Sequence, residues 1–266
     1  MNKKVIVAGH ICLDVTPVFP DKARKKISDV LMPGKLVETE AASVATGGAV
    51  ANTGLAMKLL GADVRLMGKV GDDEFGEMIC SILSKHGADK DMIRSAGESS
   101  SYSVVLAIPG TDRMFLHCPG TNSTFEAKDI PDKMLEESAL LHFGYPPLMK
   151  RMYEKDGDQL VELFQRAQSF GCAVSLDLAA VDPDSEAGRK DWEYILTRVI
   201  PYVDFFVPSI EELCYMIDKD RYMSWQKRAS NDDITKFLDL DNDIRPLADK
   251  CMNLGCKVLV LKCGAP

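Results

Sequence analysis

Thr46-Gly47-Gly48-Ala49-Val50-Ala51-Asn52-Thr53 leads, across Gly61-Ala62, to Gly68-Lys69-Val70-Gly71-Asp72-Asp73-Glu74-Phe75-Gly76. Paired glycines admit a tight turn and let backbone come close to a ligand, because no Cβ stands in the way. Residues 50–60 then read as a helix, with Val50, Leu55 and Leu59 on a narrow apolar face and Gly61 as its stop. The first turn of a helix holds free N–H donors, and Asn52 adds both a donor and an acceptor. A strand over 64–67 and an acidic, glycine-bounded loop follow. Such a place suits a small, hydroxyl-rich molecule.

Working outward, Val5-Ile6-Val7-Ala8-Gly9 reads as a short buried strand. Asp14 follows it, near the carboxyl end of a strand, where α/β sheets present ligand-contacting residues. Further strands are expected at 103–108 and 113–117, about the turn Pro109-Gly110-Thr111-Asp112, and at 140–143, 173–178, 205–207 and 258–261. Helices are expected at 75–86, 159–170, 192–200, 210–217, 234–238 and 245–254. Strands alternating with helices imply a mainly parallel sheet covered on both faces. The stretch 16–45, with Pro17, Pro20 and Pro33-Gly34, reads as irregular. Together with the later strand pair it is expected to form a small covering sheet, with lid elements at about 15–45 and 100–122 of a single 1–266 domain.

Hydrophobic residues make up 46% of the 266 and charged residues 27%, which fits one substantial core. A formal net charge of −8 without a compensating basic stripe argues against nucleic acid or an anionic membrane as partner. The basic run Lys22-Ala23-Arg24-Lys25-Lys26 reads as a solvated loop. No apolar run reaches transmembrane length. The 8 cysteines show no Cys-x-x-Cys pair and no Cys/His ligand spacing, so they read as reduced thiols of a cytoplasmic protein.

Each candidate residue also has a plainer reading. Asp14 is either an acceptor for two hydroxyls or a turn residue. Asn52 is either a ligand contact or a local backbone partner. Asp72-Asp73 reads more readily as a solvated turn than as a metal site. Arg113 fits a hairpin facing solvent, and Asp177 ends a strand as Asp14 nearly does. Pro208-Ser209-Ile210-Glu211-Glu212 satisfies the capping-box pattern, with Ser209 as cap and Glu212 three residues on. His10, His86, His117 and His142 share no metal spacing and read as structural.

The pattern Gly47-Gly48-x-x-x-Asn52, Gly61-Ala62, Gly68-x-x-Gly71-Asp72-Asp73-x-x-Gly76 resembles the N-terminal signature of the ribokinase (PfkB) carbohydrate kinases, and the likeness runs from Val5 to Gly264. The resemblance implies a ribokinase-like three-layer α/β fold with a small β-sheet lid, through which two chains pair as a homodimer. It implies a small-molecule sugar as substrate, with ATP and Mg2+ as cofactors. Asp14, Gly47, Gly48, Asn52, Arg113 and Asn122 would then contact the sugar. Asp177, Ser209, Lys262 and Gly264 would lie with the nucleotide, and Glu212 would orient Mg2+. Cys12 and Ala49 stand where ribose-specific members carry Asn and Lys, and Gly144 near where they place an acid. Ser209 replaces the Asn of the family's Pro-Asn-x-x-Glu motif, and Thr121 the Ala of its Gly-Ala-Asn turn.

In the family, a Gly-Ala-Gly-Asp sequence carrying the catalytic Asp follows a segment like Val258–Gly264. It does not occur in these 266 residues, and neither does a Gly-x4-Gly-Lys-Ser/Thr loop. The resemblance therefore assigns no catalytic residue here, since the family's catalytic Asp would lie beyond Pro266. The expectation is a kinase truncated at its C-terminal part and nearly inactive, or alternatively a non-catalytic sugar-binding or regulatory protein of the same fold. A nicotinamide-dependent enzyme would want Gly-x-Gly-x-x-Gly after the first strand, and the sequence there is Gly9-His10-Ile11-Cys12.

Overall fold

The computed structural model describes residues 4–20, 27–111, 113–230 and 232–264. The basic run at 22–26 lies outside them, as does Asp112 of the expected turn. Pro266, past which the catalytic Asp is expected, also lies outside the described residues. In chain order the strands are β1 (Lys4–Gly9), β2 (Cys12–Val18), β3 (Glu40–Gly47), β4 (Val64–Met67), β5 (Lys69–Gly71), β6 (Ile93–Ser95), β7 (Tyr102–Leu106), β8 (Met114–Cys118), β9 (Ser138–Gly144), β10 (Ala173–Asp177), β11 (Phe205–Phe206) and β12 (Val258–Leu259). A central sheet of order β12-β11-β10-β9-β1-β4 is parallel throughout. A smaller sheet of order β3-β2-β7-β8 lies beside it, and β5 pairs with β6 as a separate parallel couple.

Side chains on a strand alternate between faces, and β1 shows how two cores result. Ile6 and Ala8 join Leu141 and Phe143 of β9 in a core with Phe164, Leu176 and Trp192. Val7 faces the other way, into a core with Val50, Leu66, Ile79 and Leu83. Strands buried on both faces read as continuous apolar runs, which is why β1 and β9 are legible in the sequence. The helix Ala49–Leu59 covers the second core, and Asp158–Ser169 and Trp192–Val199 cover the first. Burying side chains such as Phe164 and Leu163 completely stabilises the fold by about 2 kcal/mol each.

Two departures from the sequence reading stand out. The stretch 16–45, expected to join the covering sheet as an irregular segment, supplies the end of β2 and most of β3 to it as regular strands. Pro17 sits where the β2–β3 register slips between Thr16 and Val18, so a residue with no N–H is skipped by the ladder. The helix Lys219–Ala229 also falls where the sequence predicts none, because only Trp225 and Ala229 of it are buried and the apolar stripe is thin.

Candidate active site

The carboxyl ends of β1 and β9 and the lid strand β2 meet at the Gly47-Gly48 turn and the start of the helix behind it. Cys12 of β2 pairs with Gly47 of β3, and Asp14 with Ala45. A Cβ on Gly47 would overlap the Asp14 carboxylate, so the acid occupies the room that the missing side chain leaves. Gly48 caps the helix Ala49–Leu59 at φ 87°, a left-handed value that favours glycine. A Cβ there would overlap the His10 carbonyl oxygen, which itself accepts the Val50 N–H at 3.1 Å. Asn52 lies one turn into the helix, exposed, donating its own N–H to the Gly48 carbonyl at 2.9 Å. Its side chain lies near the Tyr145 hydroxyl and partly offsets the rise of that group's pKa. Asp14, Gly47, Gly48 and Asn52 are therefore gathered around one helix N-terminus.

The other sugar-side candidates sit differently. Asn122 is completely buried, and its amide is spent on Ile11: Nδ2 donates to the Ile11 carbonyl at 2.8 Å and Oδ1 accepts the Ile11 N–H at 3.2 Å. It positions the link between β1 and β2. Arg113 precedes β8, its guanidinium 5.9 Å from the centre of the Phe115 ring. The rung bearing Asp14 runs through Ser103 to His117, whereas Met114 pairs with Leu106 at the far end of the ladder. Arg113 lies beyond that far end, away from Asp14. Asp73 caps the helix Glu74–Ser84 and accepts from the Ser100 amide and hydroxyl at 2.8 and 2.6 Å. Burial pushes its carboxyl up, but those bonds outweigh it and hold the group below the usual carboxylate range.

The nucleotide-side candidates form a second cluster at β10 and β12. Lys262 donates to Asp177 Oδ1 at 2.7 Å, and the Leu178 N–H donates to the same oxygen at 2.9 Å. Burial raises the Asp177 carboxyl, Lys262 opposes this, and the charge of Glu212 adds to the rise. Glu212 Oε2 accepts the Ser209 N–H at 2.9 Å while its own N–H donates to Ser209 Oγ at 3.2 Å. The capping box expected from sequence is thus formed. Lys262 bridges to Ser209 as a short parallel pairing, and Gly264 follows at φ 76° beside Thr235.

Residues 2–239 match the pfkB family carbohydrate kinases. The chain belongs to that family. Among curated relatives it is similar to fructokinase-1 of Zea mays, 31% identical over 112 residues that make up 41% of this chain and 35% of the relative. It is also similar to a probable fructokinase-2 of Arabidopsis thaliana, 30% identical over 196 residues, 71% of this chain and 55% of the relative. The chain thus spans about a third to a half of the curated relatives it matches. Two solved structures share its fold. One is a fructokinase with bound ATP from Xylella fastidiosa, with TM-score 0.67 and 18% identity over 98% of this chain and 73% of that one. The other is an Arabidopsis thaliana ribokinase complexed with ribose and ATP, with TM-score 0.68 and 16% identity over 98% and 72%.

Three residues that lie beside these candidates are not among those the sequence reading chose. His10 and His142 read as structural there, yet both are buried at the strand ends that build the site. Burial, then the nearby His117, pushes His10 down to about 3. Burial, then Lys262, pushes His142 down to about 4. Tyr145, directly after β9, holds a left-handed φ of 66°, unusual for a bulky residue. Its hydroxyl is raised first by burial and then by Asp177. A sequence signal exists for His10, which follows Gly9 at a strand's carboxyl end as directly as any candidate chosen. No helix among the described residues is long and apolar enough to cross a membrane.

Proposed function

We propose that this chain grips a sugar hydroxyl and part of a nucleotide for ATP-dependent phosphorylation of that sugar. The observation that carries the reading is the Asp14 carboxylate standing in the space left by Gly47, beside the Gly48-capped helix. A carboxylate that accepts hydrogen bonds from two hydroxyls, next to backbone that a ligand can approach, suits a polyol. Asn52 and Tyr145 supply further donors and acceptors at its rim. Asn122 acts at one remove, through Ile11, and Arg113 acts at the lid edge.

The second cluster fits a magnesium nucleotide by its donor chemistry. Among the described residues no group of three or more His, Cys, Asp or Glu is placed to hold a metal by itself. Mg2+ commonly takes only one or two carboxylates and completes its shell with water and phosphate oxygens, and Asp177 and Glu212 offer that pair. Glu212 Oε2 serves the cap, so Oε1 is the oxygen turned to this use. Lys262, about half exposed, can exchange Asp177 for a phosphate oxygen. When bound, Mg-ATP supplies the phosphoryl group, and positioning and electrostatics carry most of such a transfer. The same proposal places the chain in the cytoplasm and pairs two copies through the lid, where Met114, Phe115 and Leu116 of β8 are exposed.

Calorimetry with D-fructose and D-ribose, with and without Mg-ATP, alongside an assay of sugar phosphorylation, tests the reading. Sugar binding that tightens with Mg-ATP supports it. Sugar binding indifferent to Mg-ATP favours a sugar-binding protein of the same fold. Failure to bind any neutral sugar rejects both.

A further inference from the structure

Nδ1 and Nε2 of His10 are both buried without a hydrogen-bond partner, and the residue is only 2% exposed. A neutral imidazole carries one donor and one acceptor, and leaving both unmet in a protein interior is expensive. The neighbours do not help. The ring lies 5.3 Å from that of His117 and 6.1 Å from that of Tyr145, centre to centre. His117 Nδ1 lies 3.0 Å from Ser103 Oγ, and the Tyr145 hydroxyl lies near Asn52. A Cβ on Gly48 would come within 2.6 Å of His10 Nδ1, so the ring lies directly beneath the turn that caps the helix. Tyr145 meanwhile holds a left-handed backbone, a strain that surroundings impose mostly at functional positions.

We propose that His10 binds substrate: its ring nitrogens hold a second hydroxyl of the polyol gripped by Asp14, and so favour a neutral sugar over a sugar phosphate. The inference rests on the sugar-binding reading above and names a residue that discriminates within it. A ring whose burial keeps it neutral offers no cation to an anionic group. The Asp14 carboxylate, beside Gly47 as His10 is beside Gly48, repels such a group. On this proposal access is from the side of β8, which among the described residues is an edge strand paired with β7. Turning the His117 ring away would break its contact with Ser103 and open the side of His10 that it faces.

The test uses the 266-residue chain, its His10→Gln variant (donor and acceptor kept) and its His10→Phe variant (ring shape kept, polar atoms removed). Each is titrated with D-fructose and with fructose 6-phosphate, and the wild type is followed by 15N NMR of its histidines. Wild type is expected to bind fructose at least tenfold more tightly than its phosphate, with the His10 nitrogen resonances moving on saturation. His10→Phe is expected to weaken fructose about tenfold and His10→Gln to recover most of that. Unmoved His10 resonances at saturation would overturn the proposal, as when an internal water or nothing at all meets the ring. So would a His10→Phe affinity within twofold of wild type. If His10→Phe does not fold, the His10→Gln titration and the wild-type resonances decide. Should fructose binding be lost in Asp14→Ala but not in either His10 variant, this inference falls and the kinase reading stands. If wild type binds no neutral sugar, both fall together.

Discussion

The two ends of the candidate site are built on opposite plans. At the Gly47-Gly48 end, polar groups have capacity to spare: the Asp14 carboxylate stands in a glycine's space and accepts a weak bond from the Cys12 thiol at 3.3 Å, and His10 has two unpaired nitrogens. At the β10–β12 end, the charged groups satisfy one another, with Lys262 on Asp177 and Ser209 with Glu212 in a reciprocal cap, and among the described residues the one buried unpaired atom nearby is His142 Nε2. The first end has hydrogen-bonding capacity waiting for a partner. The second must exchange an existing bond for each one it offers a ligand. Backbone geometry therefore governs the first end and charge exchange the second, and substitutions should separate them.

The largest effect is expected from Gly48→Val. A β-branched side chain at φ 87° is strained, and its Cβ meets the His10 carbonyl, which is backbone and cannot step aside. Denaturant unfolding should show a loss of about 3 kcal/mol or more, with sugar binding abolished. Next comes Asn122→Ala, which leaves the buried N–H and carbonyl of Ile11 unpaired. Unfolding is expected to register about 2–3 kcal/mol, although Asn122 lies outside direct reach of a ligand in this reading.

A pH series sharpens the contrast further. His10 and His142 have folded values of about 3 and about 4, below the 6.5 of an unperturbed histidine. The unfolded chain takes up protons near 6.5 that the native state refuses. Stability from these rings is thus complete above about 6.5 and falls as pH drops towards 4 and 3, by up to about 1.4 kcal/mol per pH unit for each. His142→Gln should remove one ring's share of that slope between pH 6.5 and 4 in chemical denaturation. The smallest structural effect is expected from Glu212→Gln, since the amide oxygen still accepts the Ser209 N–H. Melting should change by less than about 1 kcal/mol while Mg2+-dependent ATP affinity falls several-fold.

What the sequence makes legible follows the same division. The glycine turn, its helix and the fully buried strands announce themselves through residues that permit few alternatives. The Ser209–Glu212 cap is likewise local, four residues long and readable unaided. The lid is only half legible, because β3 is exposed over most of its length and shows no alternation, and Pro17 masks β2. The gathering of His10, His117 and Tyr145 is not legible at all. His10 stands over a hundred residues from the other two in sequence, and they meet only because β2 carries the lid back over the ends of β1 and β9. Asn122 shows the converse: a motif residue in the sequence whose amide is used up on the backbone of Ile11.

The most direct test of the account is calorimetric titration of the 266-residue chain with D-fructose, repeated on Asp14→Ala. The account predicts a single saturable site in the wild type and none in the variant, with the two proteins unfolding within about 1 kcal/mol of each other because the lost carboxylate serves a ligand. Equal binding by both proteins, or a variant that loses binding only because it no longer folds, would contradict a sugar cradle built on Asp14 and the paired glycines.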